Sequence, residues 1–380
     1  MPHILIAGAG IGGLTAACAL RRAGFEVTLL ERAAELRPVG AGITMQTNAM
    51  LAFGRLGLGD AVAAAGSPLE RAEIRTWDGR LLQVAPARRV ADALGAPVVG
   101  LHRGRLQRVL LDALGGVRLV LGSAVTAVEA MSRGVGVRLS DGTTTEGDVL
   151  IGADGLRSVV RAALHGEAEP RYAGYTSWRG ICPNQGRVPR GFGCECWGAG
   201  RRFGFLEIGH DELYWFATRD APPGEIDPPA GAAARLGQDL ASWAPPVGSL
   251  LAATPEAAVV RTDIFDRPRL AQWGHGRVTL LGDAAHPMTP NLGQGGCQAV
   301  EDAVVLAERL ARAPDLEQGL RAYEVARAVR AHWFVEQSRR VGRLAQASGR
   351  LSCFLRDTIV RWIPESATER RLRAAFSFMP

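Results

Sequence analysis

The sequence predicts an α/β fold: a parallel-sheet domain interrupted by a mixed, mostly antiparallel β-sheet and closed by C-terminal helices. Three observations predict it. Strand–glycine–helix units occur at 3–24, 146–164 and 277–312. Between the second and third lie alternating runs separated by turn residues, such as "GCECWGAGRRFGFLEIG" and "DELYWFATR". The tail "DLEQGLRAYEVARAVRAHWFVEQSRRVGRLAQASG" carries the period of an Arg-rich amphipathic helix.

The first unit is "HILIAGAGIGGLTAACALRRAG". An apolar run, Ile4 to Ala7, precedes Gly8, Gly10 and Gly13 in a G-x-G-x-x-G pattern. Leu14, Ala17, Cys18 and Leu20 share one helical face, and Gly24 is placed to stop the helix. A second strand, "EVTLLE", ends in Glu31. In this order the glycines serve a tight turn, close backbone approach to a pyrophosphate, and helix–sheet packing. The helix N-terminus offers free N–H groups to phosphate, and the acid can accept from a ribose hydroxyl. The reading is a Rossmann-like dinucleotide site, with NAD and FAD both open.

Bulk properties narrow the class. The chain has 380 residues, 47% of them hydrophobic and 22% charged, which is ordinary for a globular protein. Its net charge is +6, and every cation is arginine because no lysine occurs. The arginines are spread along the chain without a dense block, so no nucleic-acid partner is expected. The six cysteines are scattered, and "CEC" at 194–196 has no second pair, so no metal site is expected and the thiols read as reduced and cytoplasmic. No apolar run reaches the length of an integral membrane segment, and the N-terminus enters a strand with no signal peptide.

The second unit is "EGDVLIGADGLRSVVRAAL", with Asp154 before a helix led by Ser158. Asp154 there can serve as a cap. The third is "GDAAHPMTPNLGQGG", between the strand "RVTLL" and the helix "CQAVEDAVVLAERLAR". The three segments resemble those of the single-component FAD-dependent aromatic hydroxylases with the para-hydroxybenzoate hydroxylase fold, whose hallmarks are the N-terminal G-x-G-x-x-G, a "DG" motif and a "GD" motif. The resemblance spans nearly the whole chain and is nearest to the salicylate hydroxylase and FAD-dependent urate hydroxylase group.

It implies non-covalent FAD, NAD(P)H as reductant and O₂ as co-substrate. Gly8, Gly10, Ile11, Gly12, Gly13, Glu31 and Arg32 are expected at the ADP half. Gly42 and Thr44, in "GAGIT", are expected near the flavin, Arg103 at the ribityl chain and phosphates, and Val125 at the adenine through its backbone. Asp154 is expected to serve flavin and NAD(P)H, and Asp283 the ribityl hydroxyls. Pro290 stiffens the GD loop, and Gly293, Gly295 and Gly296 let N–H groups approach the isoalloxazine, with the helix beginning near Cys297. His286 in this loop reads as structural.

The FAD-binding domain is then discontinuous, at 1–70, 98–167 and 272–380. The substrate-binding sheet occupies 71–97 and 168–271. "ERAEIRTWDGRLLQV" reads as a hairpin turning at Asp78-Gly79, "APPGEIDPPAG" as a loop and "LGQDLASWA" as a short helix. Alternation places Arg202, Gly204 and Leu206 on one face of a strand, and Tyr214, Phe216 and Thr218 on one face of the next. The urate hydroxylases share "RYAGY", "WAPPV", "GQGGC" and an Arg and Tyr spaced as Arg202 and Tyr214. They carry an aspartate where this chain has Asn291, and an amide cannot become a fixed negative partner. Arg202, Tyr214 and Asn291 are the expected catalytic set.

The implied activity is hydroxylation of an aromatic or heteroaromatic small molecule through a flavin C4a-hydroperoxide. The alternatives are a halogenase or prenyl-chain reductase on the same fold, or a non-catalytic flavoprotein. "SWAPP" does not supply the halogenase W-x-W-x-I-P element. A monomer or homodimer is expected.

Overall fold

The computed structural model describes residues 1–36, 41–131, 134–228 and 231–378. The first residue of "GAGIT" and residues 229–230 of the Pro-rich loop lie outside them.

A five-stranded parallel sheet forms the first layer, in the order Val278–Leu280, Val149–Gly152, His3–Ala7, Glu26–Leu30, Arg118–Val120. Its strands are short and apolar because both faces are covered, and Ile4, Leu5, Ile6, Leu150 and Ile151 are fully buried. This order brings together segments that lie far apart in the chain. Three neighbouring strands carry the three motif loops at their C-terminal ends, the usual location of ligands in open α/β sheets. Helix Ile11–Arg22 returns from the first loop and ends where Gly24 takes a left-handed φ of +91°. A Cβ on Gly13 would overlap the Gly8 carbonyl oxygen, and one on Gly12 would lie 2.8 Å from Leu281 Cδ2. The glycines thus let this helix seat on the sheet and against the third unit.

A second sheet has seven strands, in the order Val260–Asp266, Arg171–Pro183, Glu212–Asp220, Arg201–Glu207, Phe192–Trp197, Arg71–Thr76, Leu81–Ala85. Five of its six pairings are antiparallel; Phe192–Trp197 and Arg71–Thr76 run parallel, so the sheet is mixed. The 71–85 hairpin turns at Gly79, φ +92°. His210 and Asp211 both take φ +58°, which gives the turn between Arg201–Glu207 and Glu212–Asp220 its compact form. One face buries Trp178, Phe203 and Trp215 with the helices Ala232–Asp239 and Val247–Ala252. The first of these begins four residues before the expected "LGQDLASWA" and ends within it, because Gly231 opens an alanine-rich turn. The other face turns toward the motif loops.

The long tail helix runs Leu316–Ala345 and is followed by two helices, Arg350–Arg361 and Glu365–Phe376. No helix among the described residues is long and apolar enough to cross a membrane.

Candidate active site

The third motif loop, the strand Gly42–Met45 and the open face of the seven-stranded sheet enclose a cleft of about 1680 Å³. On the loop side stand Gly42, Thr44, Arg103, Asp283 and the segment Pro290–Gly296. The GD loop reaches the cleft as two single helical turns, Gly282–Ala284 and Pro290–Leu292, then Gly293 at φ +62°. Helix Gly295–Arg312 starts two residues earlier than the sequence predicts, so Gly295 and Gly296 are its first turn. Gly296 packs closely here: a Cβ would lie 3.2 Å from Ile43 Cδ1 and 3.3 Å from Met45 Cε, so both side chains would have to shift slightly to admit it.

The loop is braced from below. His286 Nε2 and Asp302 Oδ2 are 2.6 Å apart, both side chains fully buried. Arg327 Nε donates to Asp302 Oδ1 at 2.7 Å and also pairs with Glu301, which accepts from Asn48 Nδ2 at 2.6 Å. Burial opposes the Asp302 charge, yet His286 and Arg327 hold its pKa down to about 2. His286 does not line the cleft, in keeping with the structural reading.

Asp283 lines the cleft and, among the described residues, its carboxylate has no hydrogen-bond partner. Its carboxyl is accessible from the cleft but ringed by protein; desolvation raises its pKa, with His286 and Arg103 opposing. Asp154 is held as a cap: Oδ2 accepts from Val159 N at 2.7 Å and Val160 N at 3.2 Å, while Ser158 caps the same helix through Arg161 N at 2.8 Å. Its Oδ1 is buried without a partner, and burial raises its pKa. At the far end Glu31 accepts from Ala9 N at 2.7 Å and Ala33 N at 2.9 Å, so it ties the first glycine loop to its own strand. Arg32 is exposed beside it, Val125 opens the strand Val125–Met131, and Ile11 is buried in the core.

The sheet side carries the expected substrate residues. Arg202 pairs with Thr218 and Leu206 with Tyr214, so the side chains assigned to one face by alternation do share it, and all four line the cleft. Gly42 makes room for the Tyr214 ring, and Gly204 for Phe216. Arg202 and Tyr214 are nevertheless in different surroundings. Arg202 is 2% exposed and spent on protein: Nε to Gln346 Oε1 at 2.6 Å, Nη1 to Glu195 Oε1 at 3.0 Å, Nη2 to Asn291 Oδ1 at 2.7 Å, with the Tyr175 ring beneath it. Asn291 is equally committed. Its Oδ1 also accepts from Tyr175 Oη at 3.2 Å, and its Nδ2 donates to Thr289 Oγ1 at 2.8 Å and Ser338 O at 3.0 Å. Donation to a carbonyl fixes which way the amide faces.

Arg179 is the residue that sequence reasoning missed. It pairs with Phe216 across the strands and lines the cleft, half-buried. It makes no ion pair among the described residues. Burial raises the Tyr214 phenol pKa, and the adjacent Arg179 guanidinium pulls the other way. Arginine in "TSWRGICP" gave one available signal: it falls on the same alternation face as Ser177.

Residues 2–186 and 253–338 match the FAD binding domain family. The chain belongs to that family. It is 48% identical over 377 residues, covering 99% of this chain and 98% of the relative, to a protein named aurachin C monooxygenase/isomerase from Stigmatella aurantiaca. It is 36% identical over 371 residues, 97% of this chain and 96% of the relative, to 2-heptyl-3-hydroxy-4(1H)-quinolone synthase of Pseudomonas aeruginosa. The crystal structure of Klebsiella pneumoniae HpxO complexed with FAD and uric acid superposes with a TM-score of 0.93 at 31% identity, over 99% of this chain and 96% of that one.

The protein is therefore an FAD-dependent monooxygenase, and the cleft fits the cofactor by its own chemistry. Helices Ile11–Arg22 and Gly295–Arg312 both begin without a side-chain cap, leaving N–H groups for an external acceptor. A Cβ on Gly10 would meet nothing within 4 Å, so the backbone there is open to close approach. Asp283 supplies an acceptor that no donor among the described residues has claimed.

Proposed function

We propose that this monooxygenase is NAD(P)H-dependent and hydroxylates a fused N-heteroaromatic ring that carries an extended apolar chain. The observation that carries the reading is the composition of the cleft. The Arg179 guanidinium and the Tyr214 hydroxyl stand as an adjacent donor pair, and Leu206, Phe216, Val90, Val98, Trp333 and Phe376 give the cleft extended apolar walls. Such a cleft suits a ring with one oxygen to anchor and a long apolar remainder to bury. The name of the similar Pseudomonas protein describes a ring of that kind bearing a heptyl chain.

In this reading the seven-stranded sheet is the substrate domain, spanning 71–97 and 168–271, and the remainder holds the cofactor. Glu31, Arg32 and the first glycine loop would hold the ADP half, with the Val125 backbone near the base. Arg103, Asp283 and the Gly293–Gly296 backbone would hold the flavin half, beside Gly42, Thr44 and Pro290. When bound, FAD supplies the redox chemistry, accepting electrons from NAD(P)H and passing one oxygen atom of O₂ to the ring. Arg179 and Tyr214 would donate to the ring oxygen and so orient the ring; because electron density leaves that oxygen when an electrophile attacks the neighbouring carbon, the pair acts by positioning. Asn291, Glu195 and Gln346 position Arg202, which supports this wall of the cleft. The apolar walls exclude water, so the oxidising equivalent is not lost to hydrogen peroxide. The protein acts in the cytoplasm, where its six thiols stay reduced.

The test is a substrate panel read by stimulated NAD(P)H consumption and by product mass. A 2-alkyl-4-quinolone should stimulate consumption and gain one oxygen atom, with uric acid inert. Coupled hydroxylation of uric acid, with no response to alkylquinolones, would refute the proposal.

A further inference from the structure

We propose that helix Arg350–Arg361 docks this enzyme on an anionic lipid surface, its apolar stripe entering the membrane and its flanking arginines engaging the headgroups. The helix shows its apolar side outward. Leu351 is 71% exposed, Phe354 66%, Ile359 58% and Trp362, just past its end, 80%. With Leu355 these positions recur at helical spacing and form one stripe. Scattered exposed apolar residues need no explanation, but a contiguous stripe of large ones does.

The opposite side of the helix is anchored, so the stripe is not a frayed end. Arg356 is 2% exposed and donates through Nη1 to Gly198 O at 2.9 Å and Ala345 O at 3.1 Å, and Val360 is buried beside Ala345. The structure therefore holds the apolar face toward solvent.

Charge identifies the occupant. Residues 343–378 contain seven arginines against three acids. The acids are already engaged: Asp357 by Arg356, Glu365 by Arg89, and Glu369 by Arg89 and Arg373. Arg343, Arg350, Arg361, Arg370 and Arg371 are exposed and make no ion pair among the described residues. An apolar stripe bordered by arginines, with a tryptophan at one end, matches an interfacial helix on anionic lipid. A second copy of this chain would bring arginines against arginines across a two-fold axis, which disfavours self-association through this face. Trp362 also leads directly into the helix Glu365–Phe376, whose Arg371, Leu372 and Phe376 line the cleft. An apolar compound dissolved in the bilayer would meet the protein beside its entrance.

The test is flotation of the full-length, FAD-loaded protein with phosphatidylglycerol or phosphatidylcholine vesicles, without substrate. The protein should float with phosphatidylglycerol, weakly with phosphatidylcholine, and less as salt is raised. A Phe354→Gln/Ile359→Gln variant should bind phosphatidylglycerol vesicles at least about tenfold more weakly. Arg350→Gln/Arg361→Gln should lose the preference for anionic lipid. Retained FAD content and NAD(P)H oxidation in both variants would separate lost docking from misfolding. Absence of flotation at low salt, or equal flotation of the Phe354→Gln/Ile359→Gln variant, overturns the proposal. So does a concentration-dependent dimer that this variant abolishes, since a second copy would then cover the stripe.

Discussion

The two sides of the cleft are built by different means. The loop side is mostly backbone: helix N-termini without side-chain caps, glycines that admit close approach, and one free carboxylate at Asp283. The sheet side is a side-chain network, in which Arg202, Asn291, Glu195, Gln346 and Tyr175 satisfy one another, while Arg179 and Tyr214 stand outside that network and face the cleft. A backbone cradle serves a cofactor whose shape does not change. A side-chain wall can be altered residue by residue to suit another ring. An arginine in a cleft is thus not by its position a substrate ligand; its remaining hydrogen-bond capacity decides.

The strongest test of the loop side is Gly13→Ala. The new Cβ would coincide with the Gly8 carbonyl oxygen, and both are backbone-fixed. Complete loss of FAD from the purified protein is expected, read as absence of flavin absorbance. Retention of FAD would show that the loop can open, contrary to a preformed cradle.

The sheet side is tested next by setting Arg179 against Arg202. Misplacing a reacting group by about 1 Å can cost roughly a hundredfold in rate. Arg179→Ala should therefore lower kcat/KM about a hundredfold while NAD(P)H oxidation continues and its product becomes H₂O₂. Arg202→Ala should act first on stability, because it removes the charged donor from Glu195, Gln346 and Asn291, leaving them only Trp197, Thr218 and Tyr175 respectively. Breaking a buried pair costs about 3–5 kcal/mol, and partial exposure of Glu195 places this case at the lower end. If Arg202→Ala kept its unfolding midpoint but uncoupled the reaction, the roles of the two arginines would be exchanged.

Asp283→Ala should weaken FAD retention about ten- to a hundredfold, through lost charge-assisted hydrogen bonds of about 1.5–3 kcal/mol. Equal FAD affinity in the folded variant would remove Asp283 from the cofactor side.

Much of the loop side was legible because each feature there is written in residue type. Glycine marks where a Cβ cannot fit, as at Gly8 and Gly13, and a short apolar strand before it marks the sheet. The sheet side was legible only as faces. Alternation placed Arg202, Leu206, Tyr214 and Phe216 together, but not their neighbours from elsewhere in the chain. Gln346 lies 144 positions from Arg202, and Ser338 lies 47 from Asn291. Those partners tie the Asn291 amide to Arg202, Thr289 and Ser338 at the edge of the cleft, and no local pattern reports them. Arg179 was overlooked for the same reason: its significance is the ion pair it does not make. The helix Arg350–Arg361 did carry a readable period, at Leu351, Phe354, Leu355 and Ile359.

Asn291→Asp sharpens that point. A carboxylate could still accept from Arg202, but it would set an oxygen 3.0 Å from the Ser338 carbonyl and lose both donated bonds. A loss of about 1–3 kcal/mol in stability is expected, with no gain in uric acid turnover. A stable variant that hydroxylates uric acid would mean that the network can re-form around the acid.

The smallest expected effect concerns the support beneath the GD loop. His332 is 4% exposed, edge-on to Trp273 at 6.0 Å, and neither ring nitrogen has a hydrogen-bond partner. Burial lowers its pKa to about 4, helped by nearby Arg269, His286 and Arg161. The unfolded chain protonates this ring near pH ~6.5. Between ~6.5 and about 4 the unfolded state thus binds a proton that the folded state refuses, and stability falls as pH falls through that window. Asp302 contributes separately and lower, because its folded pKa of about 2 lies below the ordinary carboxylate value; its share is lost as pH falls from ~4 toward 2. His102 and His165 are also lowered by burial, so His332→Phe should remove only part of the decline in urea midpoint between pH 7 and about 4.5. The sheet side differs in the groups that hold it. Arg202 also bonds the amides of Gln346 and Asn291, which do not titrate, so its wall keeps these contacts when the Glu195 carboxylate is protonated. Acid should therefore loosen FAD before it disturbs Arg202, seen as flavin release at a higher pH than any loss of the seven-stranded sheet. Simultaneous loss of both signals would show that the cleft has no separately weakened side.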